Sequence, residues 1–464
     1  MSEKKSERRE NLFYTQKNGY DLIDEKELEL SNAYAEEYKD YLNKSKTERT
    51  AVKTGIALAE KNGFIPYVRG MELKPGTKIY QSNRGKALIL AVIGTKPLNE
   101  GSIIAAAHVD VPRIDLKQVP LYEDSELAFF KTHYYGGIKK YQWLAIPLEL
   151  HGTIALKNGD VIDVNIGEDK NDPQLVITDL LPHLAADQMK KPMSTAVPGE
   201  SLNILIGSIP DKEEGSDRVK LAVMSLLNEK YGITEEDFLS AELSAVPAFE
   251  ARDVGLDRSL IGGYGHDDRV CAFAELKAII DVKKPAYTSV CILADKEEIG
   301  SEGVTGMKSE AFECFMEDLC SSQGVKLRHC FENSLCISAD VCNGYDPNFP
   351  EVSEKRNNAK LNYGLALVKF TGSRGKSGSN DAHAEVVARL RKDFDKDKVI
   401  WQMAELGKVD QGGGGTVAMY MAQRNIDTID AGVPVLSMHA PYEIVSKLDC
   451  YMTYKGVKAV YSEK

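Results

Sequence analysis

Apolar and polar positions along the chain change texture three times. From Glu27 to Asn62, LSNAYAEEYKDYL and TAVKTGIALAEKNGF place apolar residues at helical spacing, and a glycine stop signal closes the second, so two helices are expected. KALILAVIG (86–94) and SIIAAAHVD (102–110) follow. They are short, nearly continuous in apolarity and rich in β-branched residues, as strands buried on both faces should be. After Asp253, strand and helix patterns alternate. The strands are YTSVCILAD (287–295), NSLCISADV (333–341), GLALVKF (364–370) and VPVLSMH (433–439). The helices are RVCAFAELKAIIDV (269–282), KSEAFECFMEDLC (308–320), NDAHAEVVARLRKDF (380–394) and the C-terminal YEIVSKLDCYMTYKGVKAV. This alternation predicts an α/β fold, a doubly wound and mostly parallel sheet covered on both faces.

Between Pro112 and Pro247 the pattern is different. YYGGIKKYQWLAIPLELHGTIALKNGD and VIDVNIGEDKNDPQLVITDLLPHL alternate and are broken by Gly, Asn and Asp, the signature of antiparallel strands. The segment reads as a β-rich insertion that splits the α/β domain into residues 1–111 and 248–464, with 112–247 between them. It has too little helical pattern to cover an extra sheet, and QWLAIPLEL looks exposed. Its apolar strands are therefore expected to be buried against a partner subunit.

At 464 residues the chain is too long for one core, and its 43% hydrophobic and 28% charged residues are an ordinary globular mix. With 70 acidic against 58 basic residues the net charge is −12. No basic patch offsets that excess, which argues against nucleic acid and anionic membranes as partners. The opening MSEKKSERRE has no apolar core of a secretion signal, and no run of about 18 apolar residues occurs. A cytoplasmic protein is expected. The 8 cysteines lie between Cys271 and Cys450 without a C-x-x-C pair, so they read as reduced, buried thiols rather than disulfides or a zinc ribbon. A metal here must be held by histidine and carboxylate.

Those residues occur at predicted strand ends, where ligands bind in open α/β sheets. His108 ends AAAH and His439 ends VLSMH. Asp110 stands two residues beyond His108 on the same side of an extended chain, placed to accept the second imidazole N–H and fix the tautomer. Asp267 lies in GYGHDDRV ahead of a helix, Glu297 and Glu298 follow ILAD, and Asp340 ends LCISAD. So much negative charge at one sheet edge requires cations, and imidazole with carboxylate suits zinc, with cobalt or manganese less selectively. The set divides into two metal sites: His108 and Asp340 in one, Glu298 and His439 in the other, Asp267 bridging. Glu297 remains as general base. Water between two such cations deprotonates near neutrality, and a nearby carboxylate can pass its proton to a leaving amine, which is amide hydrolysis. His266 is expected to face away from the site and His383 to lie on a helix surface. QGGGGTVAMYMA lacks the Lys-Ser/Thr of a phosphate loop and reads as close backbone approach followed by a helix.

In order and spacing, HVD, GHDDR, DKEEIGSEG, SADV with DPNF, and SMHAPYE resemble the aspartyl aminopeptidase and vacuolar aminopeptidase I family of co-catalytic zinc metallopeptidases over essentially the whole chain. The resemblance implies zinc ligands at His108, Asp267, Glu298, Asp340 and His439, Glu297 as base and Asp110 in support. It also implies peptide substrates, an inserted dimerisation domain and a dimer-based homo-oligomer, a dodecamer in several members. LPHLAADQ stands at the family's H-L-A-I-H-L stretch, which puts Asp187 at its last histidine. CNGYDPN stands where the family shows A-H-A-x-H-P-N, so Asn343 and Asp346 replace two pocket histidines. Lys369 matches a pocket lysine. These exchanges remove donors and add negative charge, so neutral or basic N-terminal residues are expected to be preferred over Asp or Glu. A binuclear carboxypeptidase or N-acyl amino acid deacylase also uses an HxD and a Glu pair, but there the insertion follows the pair; here it precedes GHDDR. A non-enzymatic assembly protein with a decayed site would lack ligands, and none is missing.

Overall fold

A computed structural model describes residues 7–463. Helices Glu25–Lys44 and Glu48–Lys61 form as their spacing predicts. Asp24 caps the first by accepting from the Glu27 amide at 2.8 Å, and Thr47 and Thr50 cap the second reciprocally, satisfying amides that have no partner inside a helix.

The main layer is a nine-stranded sheet in the order Ile65–Pro66, Lys78–Asn83, Ala87–Val92, Thr288–Ala294, Ser102–His108, Leu335–Ser338, Asp427–Gly432, Leu365–Val368, Trp401–Ala404. Its centre, from Thr288–Ala294 to Asp427–Gly432, is parallel, while antiparallel neighbours flank that centre. The fold is therefore mixed α/β with a parallel heart. Alternate residues feed two cores. Leu88, Leu90, Ile103, Ala105 and Ala107 pack under the long helices, including His266–Asp281 and Lys447–Tyr461. Ile89, Ala91, Ile104 and Ala106 pack under Ala311–Ser322 and Val417–Gln423. The period of two in a pleated strand is what makes a near-continuous apolar run serve both faces.

Two expectations about this region are corrected. VPVLSMH does not extend the main sheet; its strand, Pro434–Leu436, belongs to a separate five-stranded sheet with Arg252–Val254, Leu260–Gly263, Glu443–Ser446 and Cys342–Asn343. The main-sheet strand is the preceding Asp427–Gly432, which two aspartates disguise. The chain leaves the main sheet at Gly432, where a Cβ would stand 1.7 Å from the Asp340 carbonyl oxygen, so only glycine permits that crossing. The C-terminal helix also starts later than its pattern suggests, at Lys447, because Glu443–Ser446 is recruited as a strand.

The middle segment forms a seven-stranded antiparallel sheet between Arg113 and Pro247. Strand Pro147–Ala155 pairs with Leu175–Ile177 and also with Ala241–Pro247, so the sheet closes on itself. Closure creates an interior, although Val161–Ile166 remains an edge strand, and this overturns the reading of QWLAIPLEL as exposed. Trp143, Leu148 and Leu150 are buried within the chain, packed with Phe130 and Ile204. The segment is also not short of helix: Arg218–Tyr231 lies against the sheet through Val223, Met224 and Leu227. Apolar exposure falls elsewhere, at Leu180, Leu181, Leu184, Met189 and Met193, each half or more exposed. No helix among the described residues is long and apolar enough to cross a membrane.

Candidate metal centre

His108 is the last residue of the central strand Ser102–His108 and is 1% exposed. Its Nε2 faces Asp267 Oδ1 at 3.2 Å, Asp340 Oδ1 at 3.9 Å and Glu297 Oε2 at 4.0 Å. Asp267, at the start of helix His266–Asp281, turns its other oxygen to His439 Nε2 at 3.1 Å. His439 Nε2 also lies 3.5 Å from Glu298 Oε2. The ligand atoms thus form two trios, His108 with Asp267 and Asp340, and Asp267 with Glu298 and His439, each lying within 4.8 Å. Asp267 belongs to both, and Glu297 to neither.

His439 reaches this place from an unexpected direction. It sits in a turn after Pro434–Leu436 at φ +64°, with its amide donating to Glu443 Oε1 at 2.7 Å and Nδ1 facing the Gly137 carbonyl at 2.8 Å. Glu443, buried at 2% exposure, also accepts from the Asp267 amide at 3.0 Å. It therefore ties the backbones of two site residues, a role the sequence signalled only as the last letter of SMHAPYE.

Asp110 holds His108 differently from the expected carboxylate–imidazole bond. The nearer acceptor for Nδ1 is the Asp110 backbone carbonyl at 2.9 Å, with Asp110 Oδ1 at 3.5 Å. The carboxylate is free to accept the amides of Glu297 and Glu298 at 3.1 and 3.2 Å and the Tyr135 hydroxyl at 2.8 Å.

Proton affinities show what the cluster lacks. Burial, reinforced by Asp267, pushes the Glu298 carboxyl well up, and burial with Asp268 does the same to Asp340. Burial also lifts Glu297 to about 7, against the pull of His108. Although burial opposes it, the bond to Asp267 holds the His439 imidazole up to about 10. His108, His439, Glu297, Glu298 and Asp340 are driven toward binding a proton, the only cation then at hand, while Asp267, against burial, is held down by its bonds to His108 and His439, and the buried Glu298 Oε1 has no partner. A donor set of imidazole and carboxylate with a deficit of positive charge fits divalent metal.

The other sequence-designated residues lie apart in their bonding. Lys369 follows Leu365–Val368, partly buried, and its carbonyl accepts from the Ala382 amide at 2.8 Å. The Asn343 carbonyl holds the Asn358 side chain at 2.6 Å, and Asp346 caps its own turn at the Asn348 amide, 2.9 Å away. Asp187 has a side chain 95% exposed and pairs with Lys190 at 3.4 Å, so it does not join the cluster of its own chain. His266 is buried with Nδ1 2.6 Å from the Tyr38 hydroxyl, and burial lowers it to about 3. It faces away from the site as expected, and His383 is exposed.

Residues 41–461 match the family model described as aminopeptidase I zinc metalloprotease (M18). A Clostridium acetobutylicum relative named a probable M18 family aminopeptidase 1 is 50% identical over 458 residues, covering 97% of this chain and 98% of its own. A crystal structure of an M18 family aminopeptidase from Thermotoga maritima superposes with a TM-score of 0.93 at 44% identity, covering 97% of this chain and 100% of that one. A more distant Saccharomyces cerevisiae mApe1 dodecamer shares the fold, with a TM-score of 0.73 at 21% identity over 92% of this chain and 98% of that one.

Proposed function

The chain belongs to the aminopeptidase I zinc metalloprotease (M18) family and is a metallo-aminopeptidase, and we propose that it works with two divalent ions, zinc first among them, and with Glu297 as general base. The observation that carries this reading is Asp267, whose two oxygens face His108 and His439 at 3.2 and 3.1 Å, the position of a bridging ligand. His108 and Asp340 would hold one ion, Glu298 and His439 the other. When bound, such ions polarise the scissile carbonyl and make water acidic enough to attack near neutrality. Glu297 takes the proton of the attacking water and returns it to the departing amine. Asp110 keeps that glutamate in place through the two amides it accepts. Dialysis against a chelator is expected to abolish hydrolysis of aminoacyl-anilides, and zinc, cobalt or manganese to restore it, while N-blocked peptides stay uncut. Cleavage of the blocked peptides instead would favour a carboxypeptidase or deacylase.

The domain division proposed is 1–111 and 248–464 for catalysis and 112–247 for assembly. The exposed apolar loop from Leu180 to Met193 supports a dimer-based homo-oligomer, and the dodecameric fold relative supports a higher one. Light scattering at micromolar concentration should find no active monomer. The free cysteines fit a reducing compartment, the cytoplasm.

For specificity, Lys369 offers one cation, whereas Asn343, Asp346 and Asp187 stand where the family resemblance places histidines. Neutral or basic N-terminal residues should be released faster than Asp or Glu, by about tenfold to a hundredfold in kcat/KM. Asp-, Glu-, Leu- and Lys-anilides compared at one pH decide it, and a preference for Asp or Glu would make Lys369 the dominant group.

A further inference from the structure

Strand Leu127–Tyr135 of the closed β-sheet ends against the metal centre and touches it through three successive residues. The Tyr135 hydroxyl donates to Asp110 Oδ2 at 2.8 Å. Gly136, at φ +74°, passes so near that a Cβ would lie 3.4 Å from Glu298 Cβ. The Gly137 carbonyl receives His439 Nδ1 at 2.8 Å.

We propose that the Tyr135-Gly136-Gly137 turn is a positioning element for the peptidase reaction, so that the β-rich segment completes the metal centre of its own subunit as well as serving assembly. The inference rests on the roles given above to Glu297, Glu298 and His439.

On one side of the centre, Asp110 is a three-donor hub. Its oxygens accept the amides of Glu297 and Glu298 and the tyrosine hydroxyl. With the hydroxyl in place, the carboxylate plane is set by a donor from another part of the fold, and the amides of the glutamate pair inherit that orientation. The tyrosine ring is itself clamped. The Arg113 guanidinium lies 4.0 Å from its centroid and is anchored to Asp115 at 2.8 Å and Glu48 at 3.2 Å. On the other side, the Gly137 carbonyl takes the Nδ1 proton of His439, which leaves Nε2 as the lone-pair nitrogen toward Asp267 and Glu298. His439 is the less enclosed of the two histidines, its side chain 34% exposed against 1% for His108. It therefore depends more on this carbonyl for its orientation. A Cβ at 136 or 137 would stand in van der Waals contact with Glu298 and with the His439 ring, respectively, and the left-handed φ of +74° at Gly136 is the conformation that favours glycine there.

The test uses the full-length chain with three readouts. Tyr135→Phe keeps the ring and removes only the donor. It is expected to lower kcat about tenfold, the low end for outer-shell partners of a metal site, with KM unchanged and two metal equivalents retained. In chelated protein, hydrogen exchange at the amides of Glu297 and Glu298 should quicken. Gly136→Ala, which puts a side chain on a left-handed backbone at φ +74° and so displaces the neighbouring Gly137 carbonyl, is expected to weaken one of two zinc ions about tenfold in a competitive chelator titration. Gly375→Ala, whose Cβ would meet nothing within 4 Å, should leave all readouts at parent values. A merely structural tyrosine would lower the thermal midpoint without altering kcat or amide exchange in the folded protein. That result, or parent-like zinc affinity in Gly136→Ala, overturns the proposal. If the parent chain itself cleaves no aminoacyl-anilide with any metal, the functional reading fails instead, and exchange and zinc affinity still decide the role of the turn.

Discussion

Glu297→Gln is expected to abolish turnover while two metal ions stay bound. The substitution preserves shape and removes only the capacity to carry a proton, and Glu297 stands outside both ligand trios. Loss of a general base costs on the order of 10² to 10⁴ in rate. The position suits the task. Its side chain is 17% exposed and its amide is fixed to Asp110 at 3.1 Å, which lets the carboxylate meet substrate water without swinging free. Burial lifts the group to about 7 in the metal-free chain, and neighbouring dications favour its ionised, proton-accepting form. The measurement is kcat on an aminoacyl-anilide together with metal content after gel filtration. Glu298→Gln, by contrast, should lose one ion. If Glu297→Gln lost an ion and Glu298→Gln kept both, the roles of the pair would be reversed.

Asp267→Ala is expected to strip both ions. His108 and His439 lie on opposite sides of this carboxylate, so its loss removes a ligand from each trio at once. Outer-shell changes alone typically cost 10- to 100-fold in metal affinity, and loss of a bridging ligand should exceed about 100-fold for each ion. His108→Ala and His439→Ala should each release a single, different ion. Metal analysis across the three variants separates these outcomes. Two tightly held ions in Asp267→Ala would remove the bridging assignment.

Much of the centre was legible in the chain because its chemistry is carried by residue type at strand ends. HVD, GHDDR, the Glu pair, SAD and SMH each gather donors that cannot be buried together without a cation, and the first strand, SIIAAAH, is apolar enough to identify alone. The β-rich middle was legible as a texture, since alternation and turn residues are local properties. What local pattern left undetermined is long-range. Periodicity does not report that Pro147–Ala155 pairs with Ala241–Pro247, yet that pairing closes the sheet and buries Trp143 and Leu150 inside the chain. Nor does it separate DTIDAG from VPVLSMH as the main-sheet strand, because the more apolar run wins on pattern and the choice is made by the close crossing at Gly432. His439 stands out in the sequence as a candidate ligand, but its delivery by a turn at positive φ, braced by Glu443 and Gly137, is a tertiary result. The candidate ligand types are thus set by the sequence itself. The second support of each, whether the Asp110 hub, Glu443 or the Tyr135 turn, was decided only when strands distant in the chain met, since a hydrogen bond within a 3 Å range depends on folding that no local spacing encodes.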